Sequence, residues 1–368
     1  MSVVLIITWD GGGNVPPALG IAASLIARGH DVVILGHPRQ SVAIAAVGAV
    51  PLAFSHTASW DPRIRRGSAR FAGAYLALFT DRGVGTDTAE AIGRVHPDTI
   101  LVDALLPAAT DAAIASGRPT IVLVHTVFAA VSDMAHGPIG MVSAWKGFSM
   151  TRGLAAAHTL LITSPEALAV KAPPDNAVHV GPVFGPGAIV PREADATSTR
   201  VLVSLSTIHY ADMPRVLQTI VDALRDLPLE AIVTTGPTID PQSIRAASHV
   251  TVHRSIPHGE ILPGIGLVIG HGGHGTATTA LAAGVPLLVR TMSTRGDHMQ
   301  VAAGVEHAGV GGRISHASAP ARIGVDIERA LADAPQRARA RRLGETIRAV
   351  DGTALAVEII ERSVSEPA

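Results

Sequence analysis

The chain has 368 residues, 47% of them hydrophobic and 16% charged, with a formal charge of −1 and no cysteine. Such a length favours two domains over one core, and the composition excludes a disordered chain. The near-zero charge offers no basic field for nucleic acid or an acidic membrane surface, and without cysteine there is neither disulfide nor thiolate chemistry, which suits a reducing compartment.

The opening, MSVVLIITWDGGG, lacks the basic region and small-residue cleavage site of a signal peptide. No apolar run approaches the about 18 residues of a membrane helix, so a soluble, cytoplasmic protein is expected. SVVLIIT reads as a strand, WDGGGNVPP as a turn-rich loop, ALGIAASLIARG as a helix ending at Gly29, and DVVILG as a second buried strand. Strand, helix, strand over this length implies a parallel pair. The alternation recurs in DTILVDALLP, AATDAAIASG and PTIVLVH, and HTLLITS and AVHVGPV close this half.

Two stretches of the first half read as irregular, SHTASWDPRIRRGSARFAGAYLALFTDRGVG and HTVFAAVSDMAHGPIGMVSAWKGFSM. Aromatic residues make up only 3% of the chain. A large apolar ligand would therefore be held by aliphatic side chains and a few rings, with Trp60, Phe71, Tyr75, Phe79, Phe128, Met141, Trp145 and Phe148 as candidates. His125 and His136 fall in the same loops, where a histidine serves equally well as a polar packing residue.

PGAIVPREADATST, residues 186–199, has no periodicity and reads as a linker between a domain at 1–185 and a second at 200–349. The pattern then restarts. RVLVSLST is a strand, MPRVLQTIVDALRDL an amphipathic helix, and LEAIVTTG, VTVHRSI, GLVIG and VPLLVR are strands. The tail is helical, and its end, about 350–368, is free to pack back on the first domain. This is an α/β chain of two doubly wound domains facing a cleft.

Between GLVIG and VPLLVR stands HGGHGT, at the mouth of an Ala-rich helix. A metal site on His271 and His274 lacks a third ligand, since no cysteine and no HExxH motif accompanies the pair. A tight turn with satisfied histidines is a second reading. The third is anion binding: glycines allow close approach, the first helical N–H groups point outward, and the helix dipole favours negative charge. Thr276 and His271 add donors, and the result is a diphosphate cradle without lysine. GxGxxG and Walker spacings are absent.

HGGHGT, followed by ALAAGVPLL and a GDH segment, closely resembles glycosyltransferase family 1, in particular the actinobacterial enzymes that decorate natural products. VLVSLST, VHRSIPHGEILP, ILVDALLP and GGNVPPALGIAASLIARGHDV extend the resemblance in order along nearly the whole chain. It implies the GT-B fold, two Rossmann-like domains with the acceptor domain first and the nucleotide-sugar domain second. It also implies inversion at the anomeric carbon and no metal or other cofactor. The donor would be a TDP- or UDP-linked sugar and the second partner a small, largely apolar acceptor. Oligomeric state, homodimer included, stays open.

By the same resemblance His271, Gly273, His274, Gly275 and Thr276 line the diphosphate, with Ser206 and Thr207 opposite. Arg254, Ser255 and Ile256 occupy the base-recognising stretch. The family's usual Asp-Gln pair for the sugar is here Asp297-His298, and Val301 stands where an Asn is common, which points to a deoxysugar. The acceptor-deprotonating His is replaced by Asn14, while Asp103 matches its orienting Asp.

An amide takes no proton near neutral pH. Asn14 is then either an N-cap of the helix at Pro16 or a positioner for an acceptor needing little deprotonation, such as a phenol, a nitrogen or an activated carbon. Asp103 or Asp10 would take the proton directly. The lost His also raises two rivals, a non-catalytic nucleotide-sugar-binding partner and a sugar-nucleotide epimerase.

Overall fold

The computed structural model describes residues 1–64, 66–189, 191–292 and 297–365. Gly296 of the GDH segment and the last three residues of the tail lie outside the described residues.

Two all-parallel sheets carry the fold. The first comprises β1 (Val3–Ile7), β2 (Asp31–Gly36), β3 (Val50–Ala53), β4 (Thr99–Asp103), β5 (Thr120–Val124), β6 (Thr159–Ile162) and β7 (Ala177–His179), in the order β3-β2-β1-β4-β5-β6-β7. The second comprises β8 (Val201–Ser204), β9 (Ala231–Thr234), β10 (Val250–His253), β11 (Leu267–Gly270), β12 (Leu287–Val289) and β13 (Gly311–Arg313), in the order β10-β9-β8-β11-β12-β13. Both orders reverse direction beside their first strand, as in Rossmann-like sheets, and the crevice at such a reversal is where ligands bind.

The central strands are apolar runs because helices cover both faces. In the first sheet Leu5, Ile7, Ile100 and Val102 point into one buried cluster, and Val4, Ile6, Leu101 and Ile121 into the other. The second sheet divides the same way, with Val203 and Ile269 on one face and Leu202 and Val268 on the other. Val127, Ala130 and Leu168 of the first half join the second half's core.

The tail, read as one helical stretch, is two helices, Ala334–Arg348 and Gly352–Ser365, divided at Asp351. The second packs on the helix Val15–Ala27, burying Ala356, Val357, Ile359 and Ile360 with Val4 and Ile21. Arg28 and His30 each reach Glu361 at 3.0 Å.

The two stretches expected to be irregular are largely helical: Ser68–Phe79, Arg82–Val95, Phe128–His136, Pro138–Trp145 and Met150–Ala156. The last three are short and broken by Gly137-Pro138 and Gly147, so no window within them is long enough to show a clear period. The edge strand β3 also escapes a pattern search because Pro51 sits inside it, which an edge tolerates. Among the described residues no helix is long and apolar enough to cross a membrane.

Candidate functional site

In each sheet the C-terminal strand ends at the reversal carry the loops singled out by sequence. Ile7 pairs with Val102, so the loop after β1 and Asp103 at the end of β4 share one edge. Gly270 pairs with Ser204, which sets the HGGHGT turn beside Ser206 and Thr207. The two edges meet: a Cβ on Gly12, whose φ is +79°, would stand 3.2 Å from Thr207 Oγ1.

The helix His274–Ala282 starts with Gly273 as N-cap, which offers no side-chain cap, and no acidic residue occupies its first turn. Its leading N–H groups keep their partial positive charge for a ligand. At two of the glycines a side chain would collide. Gly272 has φ +91°, and a Cβ there would lie 2.7 Å from the His298 carbonyl oxygen. A Cβ on Gly273 would lie 2.5 Å from His271 Nε2, because the imidazole folds over that position. A Cβ on Gly275 would meet nothing within 4 Å, so this side of the turn is open.

Burial drives the His271 imidazole well below its ordinary value, and His298 adds to the effect. His271 Nδ1 is buried without a partner. His274 is lowered to about 4, chiefly by burial and then by His125, against a raising bond to the Thr163 backbone across the cleft. Both rings are therefore neutral donors at neutral pH.

Asn14 occupies the N-cap position of the helix Val15–Ala27, yet its side chain makes no capping bond. Its Nδ2 instead donates to Thr8 Oγ1 (3.1 Å), the Trp9 carbonyl (2.8 Å) and Asp103 Oδ2 (3.0 Å), while its Oδ1 accepts from Gly11 N–H at 3.1 Å. With 2% of its surface exposed, this amide is fully engaged inside the loop, which corrects the expectation that it faces the acceptor or caps the helix. Asp103 Oδ1 accepts from Leu105 N–H at 2.9 Å, and His125 Nδ1 lies 3.1 Å from Asp103 Oδ2. Asp10 turns away from this group toward Arg39, 3.8 Å off. Burial raises its carboxyl and Arg39 opposes the rise.

Asp297 opens the helix Asp297–His307 with its side chain about half exposed, and its Oδ1 accepts its neighbour's N–H. Its charge reaches His125 and His274, and also Tyr75 and Tyr210, whose phenols are pushed up mainly by burial. His298 is buried, with its Nε2 3.8 Å from Asp297 Oδ1. Its ring packs edge-on against His271 at 4.6 Å and on Tyr210 at 5.5 Å. Val301 lies in the core, fully buried.

Trp60, Phe71, Tyr75 and Phe79 come together around Trp9, with Trp9 to Phe79 at 4.9 Å and Phe71 to Tyr75 at 4.5 Å. Phe71 then meets Tyr210 of the other half at 5.3 Å. Rings thus run unbroken from the first-half cluster to His271. Sequence reading missed Trp9 and Tyr210, and the one available signal was their position just past β1 and β8. Phe128 packs against the same core, and Phe148 is buried. Met141 and Trp145 do not join these rings: they are 62% and 84% exposed on the helix Pro138–Trp145. His136 is exposed and bonds Ser132. In the base-recognising stretch Arg254 and Ser255 are exposed, Ile256 is half-buried, and Arg254 lies 4.0 Å from Asp240.

Among the described residues one cluster has a metal-like composition: His56, Asp87 and Glu90. Asp87 already accepts from the Ser55, His56 and Thr57 backbone and from two hydroxyls, so it shapes the loop after β3.

Residues 218–361 match the family of the erythromycin biosynthesis protein CIII-like, C-terminal domain. An NDP-glycosyltransferase of Bacillus subtilis, YjiC, is 25% identical over 302 residues, 75% of this chain and 76% of the relative. The fold is shared by CalG4, a calicheamicin glycosyltransferase, with TM-score 0.79, 21% identity and coverage of 100% of this chain and 99% of that one. VinC, solved with DTDP, gives TM-score 0.75 at 21% identity over 99% of both chains. The chain has the GT-B fold of these glycosyltransferases, and over about three quarters of its length its sequence is similar to a known glycosyltransferase.

Proposed function

We propose that this glycosyltransferase moves a sugar, by inversion, from a nucleoside diphosphate to a small, largely apolar acceptor of the natural-product type. The carrying observation is the uncapped, acid-free start of the helix His274–Ala282, with its open side at Gly275. A diphosphate seated there gains backbone N–H donors and the His271 imidazole as negative charge develops on the leaving group. Thr276 and the Ser206–Thr207 turn close the other side.

Asp297 holds the sugar hydroxyls. His298, withdrawn into the ring stack, makes few contacts to them, which supports a deoxysugar. A DTDP complex on the shared fold, in VinC, supports a thymidine nucleotide. The rings of Phe71 and Tyr75 receive the apolar acceptor. Its nucleophile attacks the anomeric carbon from the face opposite the diphosphate, so one bond forms as the other breaks.

The test is incubation of the purified protein with TDP- and UDP-sugars and a panel of phenols, alcohols and amines, with products read by mass spectrometry and the anomeric configuration by NMR. A glycoside inverted relative to the donor supports the reading. Retained configuration, or nucleotide binding with no transfer to any acceptor, refutes it.

A further inference from the structure

The side chain of Asn14 is closed to a ligand, because both its polar atoms are bonded within the loop after β1 or to Asp103. The carboxylate it holds has a second neighbour. His125 Nδ1 lies 3.1 Å from Asp103 Oδ2, the same oxygen that accepts from Asn14 at 3.0 Å. The contact is an ion-pair approach, off the straight N–H···O line, and such pairs commonly tighten only when substrate binds.

The register explains the pairing. Asp103 lies beside Leu123, so the chain two residues beyond Leu123 returns over the end of β4. Nδ1 is shut off from solvent while the side chain keeps 10% exposure. The small exposure that remains therefore lies elsewhere on the side chain. Three titratable groups face this imidazole: Asp103 from β4, His274 from the start of the helix His274–Ala282, and Asp297 from the helix Asp297–His307. The ring thus feels the carboxylate of one half, Asp103, and that of the other, Asp297.

We propose that His125 is the base that takes the acceptor's proton, that Asp103 is its orienting partner, and that Asn14 is the positioning residue that fixes Asp103. The proposal rests on the sugar-transfer reading above. As the acceptor oxygen bonds to the anomeric carbon, the bond from that carbon to the diphosphate oxygen breaks. The electron pair leaves on the diphosphate, and the acceptor hydroxyl proton passes to His125 Nε2. Asp103 stabilises the imidazolium through Nδ1, the division of labour that a histidine–carboxylate pair requires.

The pH consequence has a definite sign. Burial pulls His125 down, but the Asp103 carboxylate, with Asp297 behind it, reverses this and leaves the ring above its ordinary value. A base works when neutral, so activity falls as pH drops through that raised value. The acid limb of kcat/KM then lies above 6.5, the ordinary histidine value.

The experiment compares wild type, His125→Gln and Asp103→Asn in transfer to an aliphatic alcohol and to 4-nitrophenol, across pH, with Kd for thymidine diphosphate measured on the same samples. For His125→Gln, kcat with the alcohol should fall about 100-fold or more. Transfer to the already ionised nitrophenol should fall much less, the acid limb should disappear, and the diphosphate Kd should stay within about threefold. Asp103→Asn should move the acid limb to lower pH. An active wild type whose His125→Gln variant keeps its rate and acid limb overturns the base assignment alone. A wild type that binds the diphosphate but transfers to neither acceptor overturns the transfer reading and the base with it.

Discussion

Gly273→Ala tests the diphosphate cradle through its steric logic. The new methyl carbon would stand 2.5 Å from His271 Nε2, whereas carbon atoms in ordinary contact keep roughly 3.5 to 4 Å apart. The imidazole must therefore swing by roughly 1 Å or more, out of line with a bound phosphate oxygen. The backbone itself tolerates alanine, because Gly273 has φ −67° and ψ 132°. Folding stability should thus change by less than about 1 kcal/mol, the scale of an N-cap effect. Losing one hydrogen bond to a charged group costs about 1.5 to 3 kcal/mol. At about 1.4 kcal/mol per tenfold, thymidine diphosphate should bind between about 10 and about 150 times more weakly. Titration calorimetry on Gly273→Ala, His271→Ala and the double variant reads this directly. In the His271→Ala background the added methyl should cost almost nothing more, since the ring it displaces is gone. An equal penalty in both backgrounds would mean that the methyl blocks the ligand or backbone itself, and unchanged binding in Gly273→Ala would refute the role of His271.

Asn14→Ala should lower the melting temperature by a few degrees, since it strips the Gly11 N–H and Asp103 Oδ2 of a partner at about 1 to 3 kcal/mol. An unchanged melting curve would show that the loop after β1 is held by something else. Phe71→Ala removes the ring that joins Tyr75 to Tyr210 across the cleft. The acceptor KM should rise while the diphosphate Kd stays put, and a shift in Kd would deny the division between the two ends of the ring stack. Ile360→Ala cuts a side chain that is 1% exposed between the last helix and the first. A loss of about 2 to 5 kcal/mol is expected in denaturant unfolding, and a smaller loss would show that the tail adds little to the first half.

The glycine-rich turn at the start of the helix His274–Ala282 was legible because its physics is local. Strand, glycines and a helix mouth follow one another within a dozen residues, and no distant partner is needed to make the N–H groups available. The strands β1, β2, β4 and β5 were legible for a similar reason, since burial on both faces leaves an unbroken apolar run. The helices after β3 and β5 were not. Those after β5 are short, and Gly137, Pro138 and Gly147 interrupt whatever period they have. Asn14 shows a different limit. Its position as N-cap was readable, but its bonds to Thr8, Trp9 and Asp103 depend on how the loop folds back. His298 was hidden for the same reason: a residue beside Asp297 in sequence turns inward to pack on His271, a contact set by the approach of two loops.

The pairing of His125 with Asp103 lies between these cases. A carboxylate at the C-terminal end of β4 sits between two loops, that of β1 on one side and that of β5 on the other, because the strand order places β4 between them. A histidine from either loop can meet the carboxylate without any change in the sheet. Moving the base from the β1 side to the β5 side keeps Asp103 in service, and it leaves the vacated position to a residue that must hold that carboxylate, a task suited to the Asn14 amide. The move also displaces the proton-accepting atom by roughly one to two strand spacings of about 4.8 Å, toward Asp297 and the second half. An acceptor served by His125 must therefore present its hydroxyl from deeper in the cleft than one served from the β1 loop. Its apolar body would then rest along Phe71 and Tyr75, whose rings already bridge to Tyr210 on that side.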